Sequence, residues 1–227
     1  MQKLNLPDVT VIAFENVDIS KIEHPLKLIN HYCDVGACKL LTSLDVSIPI
    51  DANVEVVKIR PTTYHDYNNF NIKDCGESLG FVGDYVETSH MLMVHHDGYI
   101  LNPGAWASDF YLWDYIGAPS IGMSDEFGSP WGVGNGGFSL RSKRLLSFMK
   151  NSPVFNAYDS RSNIHDDGFI CMTNRSYLHN NGFRIAPYDV AIKFSVENMK
   201  WQNQFGAHGI GNKTDCSSWI DPIGGGV

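Results

Sequence analysis

The sequence predicts an α/β fold: a single domain with a mainly parallel central sheet flanked by helices. Three observations carry that expectation. Short, β-branched apolar runs recur through the first half, and stretches with helical spacing separate them. Neither an internal repeat nor a linker interrupts the 227 residues. Hydrophobic residues make up 43% of the chain and charged ones 19%, with 12 Phe, 10 Tyr and 5 Trp. That is enough apolar mass to fill one large core.

Taken in order, "VTVIAF" (Val9–Phe14) reads as a buried parallel strand. "ISKIEHPLKLINHYC" has helical spacing at Ile22, Leu26 and Ile29, with Pro25 expected to set the start. "ACKLLTSL" and "VEVVKIR" are two further strands, "YNNFNIKDCGESLGFV" is helical until its glycines, and "HMLMV" is the fourth strand. This strand and helix rhythm is that of a parallel sheet covered on both faces. The second half is less regular. "SDEFGSPWGVGNGGF" is loop, followed by a strand at "FSLRS"; "SKRLLSFM" and "DDGFICMTNRSYLHNN" are helical, and "FRIAP" and "AIKFSV" are strands. The single domain therefore divides at about residue 115 into a nucleotide-type half and, to about 215, an irregular one, with 216–227 expected to be a mobile tail.

Charge narrows the partners. With 17 basic against 25 acidic residues the net charge is -8, which disfavours nucleic acid and anionic membranes. An anionic ligand would need a recruited cation. No run reaches transmembrane length and the start lacks a signal-peptide stretch, so a cytoplasmic protein is expected. Cys33, Cys38, Cys75, Cys171 and Cys216 form no CxxC and read as reduced thiols.

Four groups of residues could do chemistry. His95-His96-Asp97-Gly98 follows the fourth strand, where open α/β sheets bind ligands. In an extended chain His95 and Asp97 share a face and His96 does not, so the first two could hold Mg²⁺ or Mn²⁺; an Asx-turn at Asp97-Gly98 would explain the same residues. Gly134-Asn135-Gly136-Gly137 could admit a ligand close to backbone, or be a plain turn. Asp166-Asp167 stands at a helix start, as caps or as a general base. Glu197 and His208 are a further pair, with His208 an accessible third metal ligand, and Lys213 could meet a phosphate. Trp131, Trp201 and Phe205 could stack on a sugar or simply pack.

In sequence order, "MVHHDGYILNPGAW", "WDYIGAP", "VGNGGFSLRS", "HDDGFIC" and "FSVE…FGAHG" resemble a glycosyltransferase domain family of bacteria and large viruses. The resemblance runs from about Val9 to His208 and implies a GT-A-like fold and a metal-dependent transfer of sugar from a nucleotide-diphosphate donor, UDP-linked among the candidates, to a glycan acceptor. It implies that Asp97 binds the metal, with His208 completing the site and His95 beside it. Gly136 and Gly137 would lie against donor sugar or acceptor. Asp167 would be the base of an inverting reaction, with Asp166 orienting a sugar hydroxyl. Ala13, Phe14 and Glu15 would line the nucleotide base pocket. A role in polysaccharide biosynthesis would follow. Two other readings remain at this stage: a metal-dependent hydrolase or nucleotidyltransferase, and a non-catalytic carbohydrate- or nucleotide-binding module.

Overall fold

The structure is a computed structural model that describes residues 2–46, 53–59, 81–121, 131–157 and 165–224. Its centre is a six-stranded sheet. The strands in chain order are β1 (Leu4–Phe14), β2 (Cys33–Thr42), β3 (Glu55–Lys58), β4 (His90–Val94), β6 (Tyr115–Gly117) and β9 (Phe138–Ser142), arranged β3-β2-β1-β4-β9-β6. The first four pair in parallel, but β9 runs antiparallel to both β4 and β6. The sheet is therefore mixed, which corrects the expectation of a mainly parallel one. An apolar run buried on both faces looks the same in either direction, so periodicity could not separate the two. β4 and β9 are buried at every position.

Helix α1 (Ile19–Tyr32) crosses from β1 to β2 and buries Ile22, Leu26 and Ile29 as expected. It starts earlier than Pro25 suggested. The Asp18 carboxylate accepts from Ser20 N at 3.0 Å, and Pro25 sits inside the helix. At the seventh helical position its ring removes one hydrogen bond, to the Lys21 carbonyl, and the helix nevertheless continues to Tyr32 with its apolar face buried. In β1, Pro7 coincides with a break in register between Leu6 and Thr10. Opposite it, a side chain on Gly36 would meet Pro7 O at 2.3 Å, so glycine is what lets β2 approach there.

Helix α2 (Lys143–Asn151) follows β9 directly, then α3 (Pro153–Asn156). After 165, a single turn α4 (Asp166–Gly168) runs into a π-helical turn at Phe169–Thr173 and then α5 (Arg175–Asn180). "FRIAP" contributes only an isolated bridge, Ile185 to Tyr115. "AIKFSV" is mostly the end of helix α6 (Tyr188–Phe194), not a strand; Ala191 and Phe194, three apart, bury on one face. Its last two residues are β10 (Ser195–Val196), which joins β11 (Gly206–Ala207) and β5 (Tyr99–Ile100) in a small three-stranded sheet. An antiparallel pair, β7 (Pro119–Ile121) with β8 (Trp131–Val133), completes the described strands. The helix expected in "YNNFNIKDCGESLGFV" lies almost wholly outside the described residues, as does Cys75. In the tail, Trp219 packs on Tyr99 at 6.4 Å and Asp221 lies 3.3 Å from His24 of α1. No helix among the described residues is long and apolar enough to cross a membrane.

Candidate active site

The loops after β1 and β4 and the loop before β9 emerge at one edge of the main sheet, the carboxyl ends of its parallel strands. There the small sheet sets the first group of side chains. Ala207 of β11 pairs with Tyr99 of β5, and Val196 of β10 pairs with Ala207. This register brings together the residues flanking the three strands: Asp97, Glu197 and His208. His208 N then donates to Val196 O at 2.9 Å and Ile210 N to Asp97 O at 3.1 Å, fixing the arrangement by backbone bonds.

His208 stands between the two carboxylates. Nδ1 donates to Glu197 Oε1 at 3.0 Å, and Nε2 lies 3.0 Å from Asp97 Oδ1. Burial lowers the affinity of His208 for a proton, yet the two carboxylates outweigh it and push its pKa up to about 9. Burial opposes ionisation of Asp97 as well, but His208 holds that carboxyl well below its usual range. Asn135 Nδ2 lies 3.0 Å from His208 Nδ1 and also bonds the Glu197 carboxylate, while Asn135 Oδ1 accepts from Phe138 N at 3.2 Å.

The second group is the acid pair. Asp167 Oδ2 accepts from Gly136 N at 3.0 Å and Oδ1 from Gly168 N at 2.7 Å. Burial and the neighbouring charge of Asp166 push Asp167 up to about 6. Asp166 is itself buried and raised, with Oδ2 3.7 Å from Arg141 Nη2. Arg141 is buried in β9, stacked 4.8 Å over the Tyr115 ring, and donates to Ser139 Oγ and to Gly136 O. Tyr115 OH donates in turn to the carbonyls of Gly134 and Asn135.

Gly136 and Gly137 join the two groups. The first bonds Asp167; a side chain on the second would lie 2.0 Å from His208 Nε2. His95 N clips this loop by donating to Gly137 O at 2.8 Å. The glycines are thus explained by close approach of two functional side chains, not by positive φ.

The structure therefore brings together Asp97, His208, Asp166, Asp167, Gly136 and Gly137. His95 is half-buried with its ring 5.8 Å from that of His208, and burial with the charge of His208 pushes it down to about 3. His96 turns the other way, Nδ1 3.7 Å from Glu15 Oε2. Ala13 and Phe14 are buried as side chains, and Glu15 Oε1 accepts from Val17 N and Asp18 N in the β1–α1 loop. Lys213 is exposed on the turn that follows His208. Trp201 and Phe205 are core, Phe205 packing on Trp106 at 5.0 Å, so those two form no stacking platform; the Trp131 side chain lies outside the description. Arg141 was not singled out from sequence, and Asn135 only as a member of the glycine loop, with no role for its side chain. An arginine inside the otherwise small and apolar "GGFSLRS" was the available signal.

Among the described residues no three His, Cys, Asp or Glu side chains are grouped to grip a metal ion. Asp97 and His208 nevertheless fit as a pair. Their N···O contact of 3.0 Å is not a directed hydrogen bond, since buried Nε2 has no partner by that geometry. Two adjacent corners of an octahedron with bonds of about 2.1 Å are separated by about 3.0 Å. A site with two protein ligands is the kind that substrate phosphates and water complete.

A buried acid pair and a carboxylate–imidazole–carboxylate chain, joined by a glycine loop, thus lie together at the carboxyl edge of the α/β sheet, the edge at which open sheets of this class bind ligands. The family described as "Protein of unknown function (DUF5672)" matches residues 58–208, and the chain belongs to that family. The matched span contains both groups of site residues. No curated protein matches the sequence.

Proposed function

We propose that the protein is a metal-dependent glycosyltransferase on a GT-A-like fold, transferring sugar from a nucleotide-diphosphate donor to a glycan hydroxyl. The observation that carries this reading is the Gly136–Gly137 loop, which sets a metal-competent pair on one side and a buried acid on the other. Asp97 and His208 would hold Mn²⁺ or Mg²⁺, which when bound neutralises a diphosphate. Charge supports the need for it: the carboxylates of Asp97 and Glu197 would repel a diphosphate without a cation, and His208 would serve as a ligand by giving up its Nε2 proton while Nδ1–H stays on Glu197.

The chain's own residues supply the rest. Asp167, with a pKa of about 6, is ionised at neutral pH yet basic enough to take a proton from an acceptor hydroxyl. Its two backbone donors, Gly136 N and Gly168 N, fix the carboxylate's orientation. Arg141 stabilises the doubly acidic pair and anchors the glycine loop through Gly136 O. Lys213 is within the site's own loop to meet a phosphate. Inverting stereochemistry follows from a lone base acting by direct displacement, and a cytoplasmic place in polysaccharide synthesis suits such an activity.

The test is calorimetry and thermal shift with UDP, GDP, CDP and dTDP, with and without Mn²⁺. One diphosphate should bind in a Mn²⁺-dependent way and raise the melting temperature, because it binds only the native state. Asp97→Ala should abolish the effect. Lack of response to all four would overturn the reading.

A further inference from the structure

A second group of polar residues lies at the opposite edge of the sheet. His90 begins β4 and Ser142 ends the antiparallel β9, so the cleft they border is separated from Asp97 by the length of β4, about 16 Å. The cleft has a volume of about 720 Å³, within the range of small-molecule sites. Lys143, Arg144 and Arg184 line it, with Asp114 as the one carboxylate among the lining residues.

Asp114 is paired with one of the three cations, Arg144, and leaves the charges of Lys143 and Arg184 uncompensated by it. It is buried and its oxygens are saturated by Ser142 Oγ at 2.6 Å, Arg144 Nε at 2.7 Å and Arg184 N at 2.8 Å. Arg144 Nη2 spends its hydrogens on Asp114 Oδ2 and Gly182 O, and the guanidinium stacks 4.7 Å over Phe183. That holds the fork rigid while its Nη1 hydrogens have no partner among the described residues. Arg184 is stacked 5.8 Å over Trp113, and neither it nor Lys143 has an ion pair among the described residues. Asp8, whose charge reaches His90 and Tyr111, offsets part of the excess and leaves it positive. On a chain of net charge -8 such a concentration of cations is out of keeping with a merely solvated surface.

We propose that this cleft binds a small organic molecule bearing a phosphate or carboxylate group. Arg184, planar and stacked on Trp113, presents a guanidinium edge that matches the paired oxygens of either group; Lys143 adds a point charge and Arg144 a single edge through Nη1. The cleft is too large for a bare ion. Tyr111 on its wall and Leu112, 54% exposed, leave apolar surface for the body of the ligand. This site is separate from the Asp97–His208 pair, needs no metal and does not rest on the transferase reading.

The test is calorimetry on the full chain in EDTA with glucose 1-phosphate, glucuronate and neutral glucose as probes. At least one anionic probe should bind and glucose should not; which of the two binds distinguishes a phosphorylated from a carboxylated ligand. The Lys143→Gln/Arg184→Gln variant should weaken binding at least about tenfold, as loss of charged hydrogen bonds does, while Asp97→Ala leaves it unchanged. Both altered residues are exposed, and Arg184→Glu alone gives the same comparison should the double variant melt early. Absence of binding by both anions, or binding that survives the double substitution, overturns the proposal.

Discussion

Asp167 and Gly137 are the residues whose individual changes speak most directly to chemistry. Asp167→Asn keeps the size of the side chain and removes the proposed base; kcat should fall by about 10² to 10⁴ while diphosphate affinity is kept. Intact turnover in that variant would remove Asp167 from the mechanism. In the unaltered protein kcat/KM should rise with pH through about 6, as Asp167 loses its proton. Gly137→Ala would put a methyl 2.0 Å from His208 Nε2, with backbone unable to yield cheaply on the glycine side. It should cost about 1–3 kcal/mol in urea denaturation and eliminate Mn²⁺-dependent binding. Both residues were visible in the sequence as members of short motifs. Their partners were not, because Gly137 meets His208, and Asp167 meets Gly136, only across the tertiary fold.

At the scale of elements, the junction between β9 and α2 is tied through one buried serine. Ser142 Oγ accepts from Leu145 N at 3.2 Å as the helix N-cap and donates to Asp114 at 2.6 Å. Ser142→Ala removes both bonds at a buried position and should lower stability by about 1–2 kcal/mol, measured by chemical denaturation. Other elements show where local pattern loses to context. Helix α1 was legible in its buried stripe but not in its start: Asp18 caps it ahead of Pro25, and burial of Ile19, Ile22, Leu26 and Ile29 on one face offsets the proline's lost hydrogen bond. "AIKFSV" has strand-like composition, yet only Ser195 and Val196 find a partner strand; the rest completes a helix whose buried face is Ala191 and Phe194. β-branched residues favour strands only where a ladder is available to receive them.

Across the whole molecule, the buried charges make stability depend on pH in windows with opposite signs. Asp167 has a folded pKa raised to about 6 from an ordinary 3.8, so the folded state holds the extra proton and stability falls as pH rises from about 4 to 6. His208 is raised to about 9 from 6.5; its contribution is complete below the lower value and is lost as pH rises through the higher. Asp97 and Glu197 are lowered, so their contribution is present above the ordinary carboxylate range and lost on acidification. Denaturant midpoints of the metal-free protein should therefore fall between pH 7 and 9.5, and His208→Gln should flatten that fall. An unchanged slope in the variant would show that the decline comes from other groups.

What the sequence determined by itself is the α/β class of fold and the short polar segments that form the candidate site. Buried β-branched runs, helical stripes and acid- or glycine-rich turns are local signals, written in neighbouring residues. The reversed direction of β9 is not local, because a strand buried on both faces has the same pattern either way. Nor is the pairing of Asp97, Glu197 and His208, which depends on the register of three two-residue strands drawn from distant parts of the chain. Arg141 belongs with these: only the packed structure shows that its charge, buried against Asp166 and Tyr115, holds the glycine loop between the two halves of the site. Tertiary structure decided these points because burial and charge pairing are properties of the assembled core, absent from any single stretch of chain.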